Sequence, residues 1–482
     1  MIMNRLKKII EYGLYLLVFL LPVQTRWMIK AGELNQGYWE YGTISLYAAD
    51  ILLIILLLSF AIYKLKNYRL RIIKSKTLQL QEPNATKMNM GVNKIAGCGL
   101  QIANYWWLIA GLDLIIFISI FFATDKVLAF YGYAKFLLAI GLFWLTVSAG
   151  YSYTKLLYSL LSGIFIQASL GIWQFLTQSG FANKWLGLAL HRAEDLGTSV
   201  IETISSLDGV PERWLRAYGG MDHPNVLGGL LVVGILLIIF LIISVSNNKK
   251  FLISKPQIPN SKFQIINYII LLIFFTSLLF TYSRGAWLGF VLGIIIMLLV
   301  FIIQKKLLEQ KILLEMILIL SIIFFIIFNQ YQDLFITRIT NETRLENKSN
   351  MERLESYQNS WYLIKNNWLI GVGINNYTLV ENNQIIKDQP SWYYQPVHNT
   401  FLLILTEIGI IGFLFFMSLI FYLYYQLIKQ KKIFKIAILS SIIIMMLFDH
   451  WWWSLHFGIL FLWLIIGLII ARNYKKCVEK DV

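Results

Sequence analysis

Residues 223–246 read HPNVLGGLLVVGILLIIFLIISVS, with no Asp, Glu, Lys or Arg anywhere in the run. At about 1.5 Å per residue, a helix of this length rises just far enough to cross the roughly 30 Å of bilayer hydrocarbon. Working outward, comparable apolar runs fall at 9–23, 46–63, 107–123, 127–148, 155–177, 265–281, 285–303, 312–328, 398–427, 433–449 and 453–471. The 482 residues are 58% hydrophobic and 14% charged, well outside the composition of a soluble core. The expectation is an all-α, polytopic membrane bundle of about twelve transmembrane helices, with residues 1–482 forming a single integral membrane domain.

The net charge of +16 does not point to nucleic acid, because the basic residues sit in short connections between spans, where they set orientation. The connection between the second and third runs is the richest short one, with Lys64, Lys66, Arg69, Arg71, Lys74, Lys76, Lys87 and Lys94. Placing it and both termini in the cytoplasm puts most Lys and Arg inside, and leaves the outer connections balanced by acids such as Glu194, Asp195, Glu202, Asp208, Glu212 and Asp333. Cys98 and Cys477 then lie on the reducing side, so no disulfide is expected. The basic start and apolar stretch at Ile9 to Leu21 lead into Pro22-Val23-Gln24-Thr25-Arg26, which lacks a small-residue cleavage site and reads as an uncleaved first span. Two outer segments exceed simple turns: 178–222, and 329–397 between the ninth and tenth spans, the latter long enough for an extracytoplasmic subdomain. Within it Arg353, Leu354, Tyr357, Trp361, Ile364 and Trp368 recur at helical spacing, suiting either a helix on the membrane surface or one packed on the bundle.

Charge is expensive near hydrocarbon and is retained there for a partner or a task. Arg284 lies in Thr281-Tyr282-Ser283-Arg284-Gly285, between the seventh and eighth runs; Arg216 precedes the sixth, and His398 opens the tenth. In the orientation above all three stand at outward-facing helix N-termini, where free N–H groups and the helix dipole favour anions. Two arginines there suit a phosphate or diphosphate, and they equally suit interface anchors. His398 can be neutral near pH 7 and accept a proton, as a general base must; a histidine capping a helix start is the plainer alternative. His223, in Asp222-His223-Pro224-Asn225, reads as part of a helix start. Glu407, nine residues after His398, points to the opposite face of its helix and is expected to pair with a neighbouring helix, a functional role being the alternative. Asp449, His450 and His456 flank Trp451 to Trp453, which read as an aromatic belt or, in the alternative, as a substrate contact. No HExxH, P-loop, paired-cysteine or outer Asp-x-Asp motif occurs, so neither a metal site nor a cofactor is expected.

At these residues the sequence resembles the O-antigen ligase and Wzy-type polymerase family of lipid-linked glycan transferases. The resemblance rests on Arg216 through Asn225 with its Gly-rich entry, on Ser283-Arg284-Gly285, on His398-Asn399 followed by Glu407-x-Gly409, and on Trp368-x-x-Gly371-Val372-Gly373, so that its motifs span residues 216–412. It implies an enzyme of the inner membrane with its active site on the extracytoplasmic face. That enzyme transfers a glycan from an undecaprenyl-diphosphate carrier to an acceptor hydroxyl, with inversion and without metal. The resemblance assigns the diphosphate contacts to Arg216 and Arg284 and the base to His398. Arg213, three residues before Arg216, Arg353 in the long segment, and Asn399 are further candidate substrate contacts. Lipid A core, a second lipid-linked repeat or a protein hydroxyl would each serve as acceptor, and the same residues would serve all three. A lipid-linked glycan flippase is the alternative of a different class. It would need charges along a path through the bilayer, whereas the mid-span charges here are few: Asp113, Lys135 and Glu407.

Overall fold

A computed structural model describes residues 2–81, 92–195, 197–204, 211–246, 260–340 and 344–478. Its helices in chain order are α1 (Ile2–Leu20), α2 (Ala48–Gln81), α3 (Val92–Phe122), α4 (Lys126–Ser148), α5 (Tyr153–Thr177), α6 (Pro224–Ser246), α7 (Asn260–Phe280), α8 (Arg284–Ile303), α9 (Leu307–Gln330), α10 (Gln332–Thr340), α11 (Arg344–Asn366), α12 (Tyr377–Gln384), α13 (Thr400–Lys429), α14 (Ile433–Met446), α15 (Trp451–Ser454) and α16 (His456–Val478). Every one of the twelve apolar runs falls on a helix. Among the described residues nine helices are long and apolar enough to cross a membrane, and α14 and the apolar part of α16 are shorter. The chain is thus an all-α, multi-pass membrane protein. Helices α2 and α3 run well past the apolar stretches that define their spans. Lys87 and Asp208 lie outside the described residues.

The run that opens the sequence reading is the centre of the bundle: 94% of the apolar window of α6 is buried, against 22% for the peripheral α9. A helix apolar on every face can occupy such a position, whereas a one-sided helix belongs at the rim. Gly229 on α6 allows close approach, because a Cβ there would stand 2.4 Å from the Trp451 ring. That contact corrects the aromatic-belt expectation. Trp451, Trp452 and Trp453 are core residues, all 5% exposed or less: Trp451 docks on Gly229 of α6, Trp452 stacks on Trp451, and Trp453 bonds Glu407.

Among the described residues, strand content is confined to short antiparallel pieces in two connections. Before α2, β1 (Arg26–Lys30) is followed by β2 (Glu33–Leu34), β3 (Gly37–Tyr38) and β4 (Ile44–Tyr47); β1 pairs with β4 and β2 with β3. Before α6, β5 (Val200–Ile204) pairs with β6 (Pro211–Leu215). The long connection after α9 carries α10, α11 and α12, and is tied to the bundle at a break in α13. Gly409 adopts φ 64° and ψ −175° inside that helix, a conformation only glycine tolerates. The interrupted backbone groups are taken over by the connection: Ile410 N donates to Trp368 O at 2.8 Å, while Thr406 O and Glu407 O accept from Val372 N and Gly373 N, both at 2.9 Å. Trp368-x-x-Gly371-Val372-Gly373 and Glu407-x-Gly409 are therefore two halves of one joint. Helix α11 carries the stripe as far as Ile364, which is buried, whereas Leu354 and Trp361 are more than half exposed; Trp368 lies past the end of the helix.

Candidate active site

Three helix starts converge around Asp449. At the head of α6, Asn225 N donates to His223 Nδ1 at 3.1 Å, so His223 closes the helix start as expected, and Asn225 Nδ2 donates to Asp449 Oδ2 at 2.7 Å. At the head of α13, Asn399 Oδ1 accepts from Phe401 N and Leu402 N, and Thr400 Oγ1 donates to the Asp449 carbonyl at 2.6 Å. At the head of α8, Ser283 caps Ala286 N, and Ser283 and Arg284 line the same pocket as Asn225 and Asp449. Unsatisfied N–H groups and dipoles at such ends favour an anion. Asn399, a candidate substrate contact in the sequence reading, is placed here as the cap of α13.

The pocket is a cavity of about 240 Å³ bordered by three guanidinium groups, those of Arg284, Arg338 and Arg353, together with Asn350. Arg284 Nη2 lies 3.3 Å from Glu346 Oε2 and 3.5 Å from Asn350 Oδ1. Arg338 is buried, pairs with the same Glu346, and donates Nε to the Tyr282 carbonyl at 2.9 Å. That carbonyl is presented by a tight turn in which Tyr282, fully buried, has φ 46°, a left-handed conformation costing roughly 1–2 kcal/mol in a residue other than glycine. Arg353 comes from α11 with its Nε buried and without a hydrogen-bond partner.

Arg216 is placed differently from Arg284. It is 3% exposed, does not line the pocket, and spends its nitrogens on protein acceptors: Nε on Thr281 O at 2.8 Å, Nη1 on Ser199 Oγ at 2.6 Å, and Nη2 on Asn225 Oδ1 at 3.0 Å. It ties the head of α6 to the turn before α8. Arg213 faces elsewhere, bonding the Glu194 carbonyl from β6. Arg338 and Glu346 were not singled out in the sequence. They lie in a polar stretch with no motif around them, and only their buried pairing marks them.

His398 stands beside the pocket with its Nδ1 buried, lacking a hydrogen-bond partner, and 3.9 Å from Asp449 Oδ1; its ring centre is 5.2 Å from that of His450. Burial, with His450 and Arg353 adding to it and Asp449 opposing, pushes the His398 pKa down to about 3, so the ring is neutral at ordinary pH. Asp449 stays ionised: burial opposes this, but His450, His398, His223 and the Asn225 amide hold its pKa below the usual carboxylate range. Ligand atoms of His398, Asp449 and His450 lie within 4.8 Å of one another, a spacing that admits a cation. Both Asp449 oxygens already accept hydrogen bonds, from the His450 backbone N at 2.8 Å and from Asn225 Nδ2 at 2.7 Å. Glu407 pairs with a neighbouring helix as expected, accepting from Trp453 Nε1 at 2.9 Å. His456 bonds Asp50 Oδ1 at 2.6 Å, in a separate cluster.

A multi-pass helical bundle that gathers arginines, helix N-termini and a neutral histidine at one end of its spans has the parts needed to hold an anionic group beside a proton acceptor. Residues 269–417 match the family model of the O-Antigen ligase domain, Wzy_C. The matched segment contains Arg284, Arg338, Arg353, His398 and the Gly409 joint, and supports ligase- or polymerase-type glycosyl transfer in general. No curated protein matches the chain.

Proposed function

We propose that this protein transfers a glycan from an undecaprenyl-diphosphate carrier to an acceptor hydroxyl on the outer face of the cytoplasmic membrane, as an O-antigen ligase or surface-polysaccharide polymerase. The observation that carries the reading is the single pocket where Arg284, Arg338 and Arg353 meet beside the neutral ring of His398. Guanidinium groups bind diphosphate oxygens through charge-assisted hydrogen bonds and stabilise the negative charge that grows on the departing lipid diphosphate. The acceptor oxygen attacks the anomeric carbon, the bond from that carbon to the diphosphate oxygen breaks, and His398 takes the hydroxyl proton. Attack from the side opposite the leaving group inverts the anomeric centre. Asp449, close to His398, stabilises the imidazolium that forms. The electrophilic assistance is supplied by arginines, so the reaction requires no metal.

The test is transfer by the purified full chain in lipid, from an undecaprenyl-diphosphate glycan to lipid A core, to a second lipid-linked repeat, and to a protein acceptor. Wild type should transfer to one of these, unaffected by a chelator, and Arg284→Ala and His398→Ala should not. Absence of transfer to every acceptor would overturn the reading, and abolition by the chelator would overturn its metal-free form.

A further inference from the structure

The cluster of His398, Asp449 and His450 holds more than a base and its counter-charge. His398 stands at the head of α13, and Asp449 and His450 lie in the connection between α14 and α15, so the three meet only in the folded chain and form no metal motif in the sequence. Each offers one ligand atom, and the three atoms lie within 4.8 Å of one another, with His398 Nδ1 3.9 Å from Asp449 Oδ1. Around a tetrahedral ion with bonds of about 2.0–2.1 Å, neighbouring ligand atoms stand about 3.3 Å apart. The cluster therefore needs to close by only on the order of 1 Å to hold one, within reach of small side-chain rotations.

Each ligand is also prepared for an ion. Nδ1 of His398 is buried and has no hydrogen-bond partner among the described residues, a state that ordinarily marks the place of a water or an ion. The Asp449 carboxylate is fixed by the His450 backbone N and by Asn225 Nδ2. The Ser454 hydroxyl donates to the His450 carbonyl at 3.1 Å, so its oxygen accepts from His450 Nδ1 at 2.7 Å. That bond keeps the proton on Nδ1 and leaves the Nε2 lone pair bare, which is how metal-binding histidines are oriented through their second nitrogen. The guanidinium groups of the neighbouring pocket oppose a further positive charge, so an ion here must be held by the strength of its bonds to nitrogen. Two imidazoles and a carboxylate supply that for Zn²⁺, and not for Mg²⁺ or Ca²⁺, which take oxygen ligands. We infer that this cluster is an inhibitory site for Zn²⁺ or a similar transition-metal dication. The inference rests on the proposed reaction in its consequence alone: an ion bonded to the His398 ring occupies a lone pair and adds positive charge, so the ring no longer takes the proton of the acceptor hydroxyl.

Binding is tested apart from transfer. Full-length protein in detergent, freed of metal, is titrated with zinc chloride and magnesium chloride by calorimetry, and with cobalt chloride by the visible absorption of the four-coordinate ion. Wild type should bind one equivalent of Zn²⁺, and Mg²⁺ about tenfold more weakly or worse. His398→Gln and His450→Gln should each lose about tenfold or more in Zn²⁺ affinity together with the cobalt absorption, while His191→Gln, outside the cluster, should match wild type. No zinc binding by folded wild type, equal binding of Mg²⁺, or unchanged zinc affinity in either folded glutamine variant would overturn the site. If one variant does not fold, the other decides. In the transfer assay, Zn²⁺ at ten times its dissociation constant should slow wild type roughly tenfold, reversibly with a chelator, and should slow His450→Gln only about twofold relative to its own zinc-free rate. Zinc that binds without slowing transfer would overturn the inhibition, and zinc that accelerates it would overturn both the inhibition and the metal-free form of the reaction. Absence of transfer by zinc-free wild type would count against the proposed reaction, and the site would then stand or fall on the calorimetry and the cobalt absorption.

Discussion

The His398 ring is kept neutral by burial and by the charges beside it, so its basicity in the empty protein is low. Arg353 is one of the groups holding it down, and a bound diphosphate would neutralise that repulsion and raise the ring's affinity for a proton when the acceptor must be deprotonated. Removing the ring in His398→Ala should lower the transfer rate by about 10²–10⁴. The unfolding midpoint should barely move, since Nδ1 bonds no protein group. The sign of the pH dependence follows from the depressed pKa. As pH falls, a base with a pKa near 3 stays unprotonated, so kcat/KM should lack the fall near 6.5 that an ordinary histidine would give. Asp222, raised to about 6 by burial and by Glu40, titrates in that range, so the profile is best recorded in Asp222→Asn. A limb near 6.5 persisting in that variant would remove His398 as the base. The two arginines separate by a different measurement. Arg216→Ala leaves Thr281 O, Ser199 and Asn225 without their donor and should destabilise the protein by about 1–3 kcal/mol. Arg284→Ala, partly exposed at the pocket, should leave the midpoint near wild type and raise KM for the lipid-linked donor. A folded Arg216→Ala protein with unchanged stability and a raised donor KM would reverse the two roles.

At the level of elements, the pocket is assembled by the joint between α13 and the 368–373 segment, since this joint anchors the connection that carries Arg338 and Arg353. A Cβ on Gly409 would lie 2.3 Å from Leu369 O on top of the disallowed backbone conformation. Gly409→Ala should therefore cost about 3 kcal/mol or more and release the connection to proteolysis before the bundle melts. An unchanged midpoint with a protease-resistant connection would show that the break in α13 is dispensable. Glu346 on α11 poses the opposite case. Its carboxylate pairs with Arg338 and sits beside Arg284, where the proposed reaction needs an anion. Holding the arginines with an internal carboxylate offsets their mutual repulsion in the empty site and makes an incoming diphosphate compete for them. Glu346→Gln should accordingly be less stable, because breaking a buried pair leaves a charge uncompensated. It should also bind inorganic pyrophosphate more tightly than wild type by calorimetry. Weaker pyrophosphate binding would recast Glu346 as a scaffold for the arginines rather than a competitor.

Over the whole molecule, what could be read from the sequence was set by the range of the interaction responsible. Each span announces itself through twenty or so consecutive apolar residues, so all twelve runs lie on helices, and Arg284 and His398 were visible because charge at a helix end near hydrocarbon is conspicuous in one dimension. Arg338 and Glu346 were invisible because their meaning lies in a pairing across the pocket, and Trp451 to Trp453 were misplaced because burial in the bundle, Trp451 against Gly229, leaves no local mark. Sidedness belongs to this scale too, being decided by the distribution of Lys and Arg over all connections. Twelve crossings, the number expected from the sequence, would return both termini to one side, and a cavity at the start of α1 lies at the end opposite the arginine pocket. In a chain with Cys98→Ser and Cys477→Ser, a membrane-impermeant thiol reagent applied to right-side-out vesicles should label Lys348→Cys on α11 at once, and Lys8→Cys on α1 only after the vesicles are opened. Labelling of Lys8→Cys alone in sealed vesicles would invert the protein and place the arginine pocket in the cytoplasm. A donor carried on an outward-facing lipid could then not reach it, and the proposed reaction would fail on topology before any question of chemistry arose.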